Sequence, residues 1–236
     1  MSALVRLIPY GARVGFANSN SNGNPLHRLI QMLQSREFPA LAPDAEIVPA
    51  TYFAPLNFEA IYGRSAPIEV DLGCGDGSFL VESAAANPAR DFLGIERLLG
   101  RVRTARWKIA QRELTNVRVL RVETSYAVRQ MLPVGSVALF HLMFPDPWPK
   151  RRHWRRRVVT EDFFASIHLA LAPNGLFRIA TDQIVYFREI ERLAGQSAQF
   201  VISCDPEQHR APSTFEKRFS HGEIYRLVLR KVSDVT

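Results

Sequence analysis

What constrains this chain most is the junction at residues 68–77. An apolar strand, Ile68-Glu69-Val70-Asp71-Leu72, runs without a break into Gly73-Cys74-Gly75-Asp76-Gly77, and Phe79 to Ala86 then read as a helix. A strand that ends in glycines and opens a helix is the first half of a βαβ unit, which commits the following strands to parallel pairing. The alternation continues as that requires. Strands are expected at 92–96, 117–122, 137–144 and 176–181. Between them lie helical stretches reaching about Glu113, then over Tyr126–Leu132 and Glu161–Leu171, with another over Ile184–Ala194 after the last. The tail offers two more strands, at 200–203 and 224–230. Residues 137–144 are almost entirely apolar, as a central parallel strand buried on both faces must be. The predicted fold is α/β: a doubly wound, mostly parallel, seven-stranded sheet with right-handed crossovers.

Before residue 61 the texture differs. Residues 17–25 are a polar, turn-rich tract without periodicity, Leu26–Leu33 suits one short helix, and Pro39, Pro43, Pro49 and Pro55 interrupt anything longer. Residues 1–60 are therefore read as a partly irregular N-terminal extension and 61–236 as the domain that carries the sheet. No apolar run reaches the roughly 18 residues a membrane span needs. No signal peptide is evident. Cys74 and Cys204 support neither a disulfide framework nor metal-ligand spacing, so a reducing, cytoplasmic setting without a metal or a membrane is expected. The net charge of +7 and pI of about 9.8 favour a polyanionic partner, nucleic acid first.

In open α/β sheets a ligand lies outside the carboxyl ends of the strands, near the point where strand order reverses. Each of the first four strands of the alternation ends on or beside a carboxylate: Asp71, Glu96, Glu123 and Asp146. Gly73 and Gly75 permit a tight turn and close approach of a ligand to the backbone. A dinucleotide fingerprint would read G-x-G-x-x-G and set a pyrophosphate on the helix N-terminus. This loop reads G-x-G-x-G, with Ser78 at the third fingerprint position, and Asp71 and Asp76 would repel a pyrophosphate. S-adenosylmethionine carries a sulfonium and an ammonium and no phosphate, so the same carboxylates attract it. Glu96 is placed to accept both ribose hydroxyls.

After the strand at 137–144 comes Phe144-Pro145-Asp146-Pro147-Trp148-Pro149-Lys150, then Arg151-Arg152-His153-Trp154-Arg155-Arg156-Arg157. Residues 147–157 hold six cationic side chains and two tryptophans. Cations meet phosphates while aromatic faces stack on bases, the composition of a single-strand or extruded-base site. Arg151, Arg152, Arg155, Arg156 and Arg157 are the expected contacts to an RNA backbone.

At this loop the chain resembles the bacterial tRNA (guanine-N7)-methyltransferase family, over roughly residues 56–230. The matching marks are Phe58 to Gly63 leading into Asp71-Leu72-Gly73-Cys74-Gly75, then Phe92-Leu93-Gly94-Ile95-Glu96 and Phe144 to Lys150 with its Arg-His-x-x-Arg-Arg continuation. Ala180-Thr181-Asp182 and Ser213-Thr214-Phe215-Glu216 complete the set. The resemblance implies a Rossmann-like, S-adenosylmethionine-dependent methyltransferase acting on N7 of a guanosine in the tRNA variable loop (position 46 of the tRNA). It implies cofactor contacts at Asp71, Glu96, Glu123 and Asp146, beside the Gly73 and Gly75 of the turn, and substrate contacts at Lys150, Asp182 and Ser213 to Glu216. Asp71 stands where the family commonly has Glu, Glu123 where it usually has Asp, and Ser213 where it has Thr.

Guanine N7 has an in-plane lone pair and no proton to lose, so displacement at a sulfonium methyl needs positioning and no general base. Asp146 is the expected catalytic residue, a carboxylate near the charge that develops on the purine. Two other readings share the fold: a methyltransferase for exocyclic amines of bases or protein side chains, and a non-catalytic RNA-binding protein. Asp146-Pro147-Trp148-Pro149 is only a cousin of the acid/amide-Pro-Pro-aromatic run of the first, and the intact glycines and carboxylates argue against the second. The sequence leaves monomer and homodimer equally open.

Overall fold

In the computed structural model, which describes residues 45–203 and 222–232, the alternation is realised as one sheet. Its strands in chain order are β1 (Glu46–Ile47), β2 (Ile68–Leu72), β3 (Asp91–Ile95), β4 (Val117–Leu120), β5 (Val137–Met143), β6 (Leu171–Thr181), β7 (Phe200–Ile202) and β8 (Tyr225–Lys231). The helices are α1 (Phe58–Tyr62), α2 (Ser78–Ala86), α3 (Leu99–Gln111), α4 (Thr124–Tyr126, continued by a π-helical turn, Ala127–Met131), α5 (Glu161–Ala170) and α6 (Ile184–Gln196). The order across the sheet is β1-β4-β3-β2-β5-β6-β8-β7, parallel from β1 to β6, with β8 antiparallel to both β6 and β7. Strand order therefore reverses between β2 and β5, which is where a ligand crevice belongs. The seven expected strands are all present, and this is the Rossmann-like architecture. The expected helix at Leu26–Leu33, Cys204 and the segment Ser213 to Glu216 lie outside the described residues.

The sheet gains one strand that the sequence pattern does not announce. Glu46 and Ile47 pair with Val119 and Leu120 at the β4 edge, and Arg106 of α3 holds Glu46 at 2.7 Å. Two apolar layers enclose the sheet. One packs α4, α5 and α6 on Val70, Leu72, Phe140 and Phe177; the other packs α2 and α3 on Phe92, Val117 and Val119. Two glycines are required by this packing. A Cβ on Gly77 would sit 2.6 Å from Ala105 Cβ, and one on Gly94 would sit 2.7 Å from Cys74 Sγ.

Two buried carboxylates of the central strands are paired. Glu69 in β2 accepts from His141 Nε2 in β5 at 2.9 Å and pairs with Arg90 at 3.2 Å. Asp91 at the start of β3 receives Nε and Nη2 of Arg64 at 2.9 and 2.6 Å. Stranded in an apolar sheet, any of these carboxylates alone would be strongly destabilising. Among the described residues no helix is long and apolar enough to cross a membrane, and no group of His, Cys, Asp and Glu could hold a metal ion.

Candidate active site

A cavity of about 510 Å³ opens at the reversal point, between the carboxyl ends of β2 and β5. That volume falls in the ordinary range for small-molecule sites. Leu72 and Gly73 wall it on the β2 side, Leu142 and Met143 on the β5 side. Glu96, Glu123 and Asp146, from three different strand ends, all line it. The fold thus converges three of the four expected carboxylates on one space.

The fourth behaves differently. Asp71 is buried, within β2, and is not among the cavity's lining residues. Burial, followed by the neighbouring Glu96 carboxylate, pushes its pKa up to about 7. Glu96 is itself only 5% exposed and acts as a hub: Oε2 accepts from Gly75 N at 3.2 Å and Oε1 from Leu98 N at 2.8 Å. A carboxylate offers about four lone-pair sites, so two remain for a ligand's hydroxyls. Glu123 caps α4, accepting from Ser125 N at 3.0 Å and Tyr126 N at 2.8 Å, and is otherwise exposed to the cavity.

The glycine turn is shaped for close approach. Gly73 and Gly75 have φ of +79° and +57°, and a Cβ on Gly73 would meet nothing within 4 Å. Their need for glycine is thus conformational on the protein side, and the space above Gly73 is open for a ligand. The Glu96 and Glu123 carboxylates beside such a turn fit a cationic nucleoside such as S-adenosylmethionine.

The loop after β5 is held under strain. Phe144 and Trp148 have φ of +54° and +43°, unusual for residues with a Cβ, and they bracket Pro145-Asp146-Pro147. The loop is tied down from below. Phe144 N donates to Ala180 O at 2.7 Å, and Arg157 Nε donates to Pro147 O at 2.8 Å. Between these ties Asp146 is exposed to the cavity, with Trp148 and Arg156 beside it. The Arg156 guanidinium lies 4.9 Å from the Trp148 ring centre.

Arg157 corrects an expectation. Its side chain is 3% exposed, bridges to Glu189, and lies 4.5 Å from the Trp154 ring and 4.6 Å from the Tyr186 ring. A guanidinium so enclosed is not available to an RNA phosphate. It holds the Asp146 loop instead. Arg151, Arg152, Arg155 and Arg156 are exposed on the 3-10 turn Arg151–Arg156, as an RNA-facing role needs. Lys150 is exposed and Asp182 half-buried, and neither lines the cavity. Asp182 does not cap α6, whose N-cap is Gln183 without a side-chain cap bond. Sequence reasoning missed Arg97 and Arg101, which line the cavity with Arg156. Their signal was present, two basic residues just beyond Glu96, but a helix start gave no reason to read them as more than solvated surface.

Comparison with known proteins gives the chain a family. A family model described as "Putative methyltransferase" matches residues 65–229. The chain is 35% identical to the tRNA (guanine-N(7)-)-methyltransferase of Chromohalobacter salexigens, over 75% of this chain and 76% of that protein. It is likewise 35% identical to the enzyme of that name from Halorhodospira halophila, over 73% and 80%. The chain belongs to the tRNA (guanine-N7)-methyltransferase family. It spans 59% of the length of the Thermotoga maritima relative, to which it is 34% identical, and 51% of that of an Arthrobacter relative, at 38%. The 16S rRNA methyltransferase KamB superposes with a TM-score of 0.56 at 16% identity, covering 75% of this chain and 93% of that one, a likeness of fold.

Proposed function

We propose that this protein transfers the methyl group of S-adenosylmethionine to N7 of a guanosine in tRNA, at position 46 of the variable loop, in a reducing cytoplasm. One observation carries the reading: Glu96 and the glycine turn, suited to a nucleoside cation, share a single cavity with Asp146, Trp148 and Arg156, suited to an RNA base and its phosphate. Relatives named for this reaction support it. The cofactor supplies an electrophilic methyl on a sulfonium. Glu96 and Glu123 hold the nucleoside end, the open space over Gly73 admits it against the backbone, and Asp71 lies beneath with a proton near its release point.

Because N7 loses no proton, the residues that matter orient and stabilise. Asp146, fixed between two prolines, faces the positive charge that grows on the purine. Trp148 offers a face for stacking, and the target guanosine leaves its own stack to reach it. Lys150, Asp182 and Ser213 to Glu216 complete the guanosine contacts, and Arg151, Arg152, Arg155 and Arg156 meet the backbone. The test is transfer of labelled methyl to unmodified tRNA, followed by mapping of the modified base. We expect 7-methylguanosine in the variable loop, and a fall of at least 100-fold in single-turnover rate for Asp146→Asn with cofactor affinity within a few-fold. Label on an exocyclic amine, or none on tRNA, overturns the reading.

A further inference from the structure

Residues 97–112 carry six cations and no acid. The fold neutralises three of them, in the second half of α3 and at its C-cap: Arg106 by Glu46, Lys108 by Asp76 and Arg112 by Glu82. Among the described residues, Arg97 and Arg103 form no ion pair. Arg101 reaches only Glu96, at 3.6 Å, with 58% of its side chain exposed. These three cluster at the start of α3, at the cavity end of the helix, and two of them line the cavity.

Their placement works against local stability. A helix N-terminus carries partial positive charge and favours acids. α5 obeys this with Glu161 and Asp162 in its first turn, whereas α3 has no acid there and no side-chain cap on Leu98. Cations set where the helix disfavours them, offset only by the 3.6 Å contact of Arg101 with Glu96, with two of the three lining a ligand cavity, mark a surface arranged for an anion. The cofactor's one anionic group, the carboxylate of its methionine end, lies away from the ribose hydroxyls that Glu96 would receive. The remaining source is the RNA backbone.

We infer that the start of α3 is a second tRNA-backbone contact, in which Arg97 and Arg101, supported by Arg103, grip phosphates on the rim shared with Arg156. The target nucleotide is then held by phosphates from two elements, α3 and the 150–157 loop, while its base enters between them. This rests on the tRNA reading above.

The test is tRNA binding as a function of salt for the parent, the Arg97→Ala/Arg101→Ala double variant and Arg112→Ala, with S-adenosylmethionine binding measured separately by calorimetry. The double variant should flatten the log K against log salt slope by about 1.4–1.8, since each phosphate contact contributes roughly 0.7–0.9. Its cofactor affinity should stay within about threefold, and Arg112→Ala, already paired to Glu82, should keep the parent slope. An unchanged slope in the double variant overturns the inference. So does an unchanged slope with a tenfold loss of cofactor affinity, which would assign both arginines to the cofactor. If the parent methylates tRNA while the double variant keeps its slope, only this inference fails; if the parent binds no tRNA, the reading beneath it fails as well.

Discussion

The chain has two basic segments, the 150–157 loop and residues 97–112, with six cations in each, and the fold sorts them by different means. Along α3 the sorting is done by acids from neighbouring elements, which take up Arg106, Lys108 and Arg112. In the loop it is done chiefly by rings. Arg151 lies 5.7 Å from the Trp154 ring centre and Arg156 4.9 Å from that of Trp148, and among the described residues only Arg157 is enclosed and bridged to an acid. An aromatic face leaves a guanidinium's hydrogen-bond donors free, whereas a carboxylate uses them. Density of charge therefore says little about which cations are functional. What counts is which of them the fold leaves unspent.

The largest expected effect tests the same rule on an acid. Asp71 is buried under the cavity beside Glu96, with its pKa pushed from 3.8 to about 7. Well below pH 3.8 the folded and unfolded chains both hold this proton, and no stability depends on it. Between 3.8 and about 7 the unfolded chain releases it and the folded one keeps it, so stability falls as pH rises through that window and levels off above it. The loss is on the order of 4 kcal/mol. Asp71→Asn should lack this fall, as denaturant titrations at pH 4 and pH 8 would show. Parallel pH profiles for parent and variant would remove the buried-proton account.

A smaller effect separates Arg157 from its neighbours. Arg157→Met should cost about 3 kcal/mol, the lower end for breaking a buried pair, because Glu189 is 29% exposed and keeps some water. Arg155→Met, on the exposed side of the same turn, should stay within about 0.5 kcal/mol. Equal unfolding midpoints for the two would place Arg157 back among the surface cations. The smallest effect is on affinity alone. Arg155→Ala/Arg156→Ala should flatten the salt dependence of tRNA binding by about 1.4–1.8 and leave stability unchanged. A parent-like slope would take the loop out of the RNA interface and leave α3 as its main electrostatic contact.

Much of this was legible in the residues. The strands β2 to β8 could be read, β6 only over 176–181 of its Leu171–Thr181, because each holds a short apolar or alternating run bounded by turn chemistry, and such runs carry their own signal. β1 could not be: a two-residue strand has no period, and Glu46–Ile47 is in the sheet only because the β4 edge and Arg106 receive it. The carboxylates at Glu96, Glu123 and Asp146 were legible as strand ends. The partners of Glu69 and Asp91 were not, since His141 lies 72 residues from Glu69 and Arg64 lies 27 from Asp91.

The alternation of strands and helices, the glycine turn and the basic, aromatic loop are written in the sequence locally, because each depends on residues close together along the chain. Propensity, periodicity and φ preferences act over a few residues. Tertiary structure alone decided which charges are buried and which face the cavity. Asp71 and Glu96 look alike as strand-end acids, yet one is sealed within β2 while the other lines the opening. Arg156 and Arg157 are adjacent in the chain, yet one lines the cavity and the other is locked beneath the loop by Glu189 and Pro147. The reason is that desolvation and charge pairing depend on what distant elements bring alongside, and no local rule carries that distance.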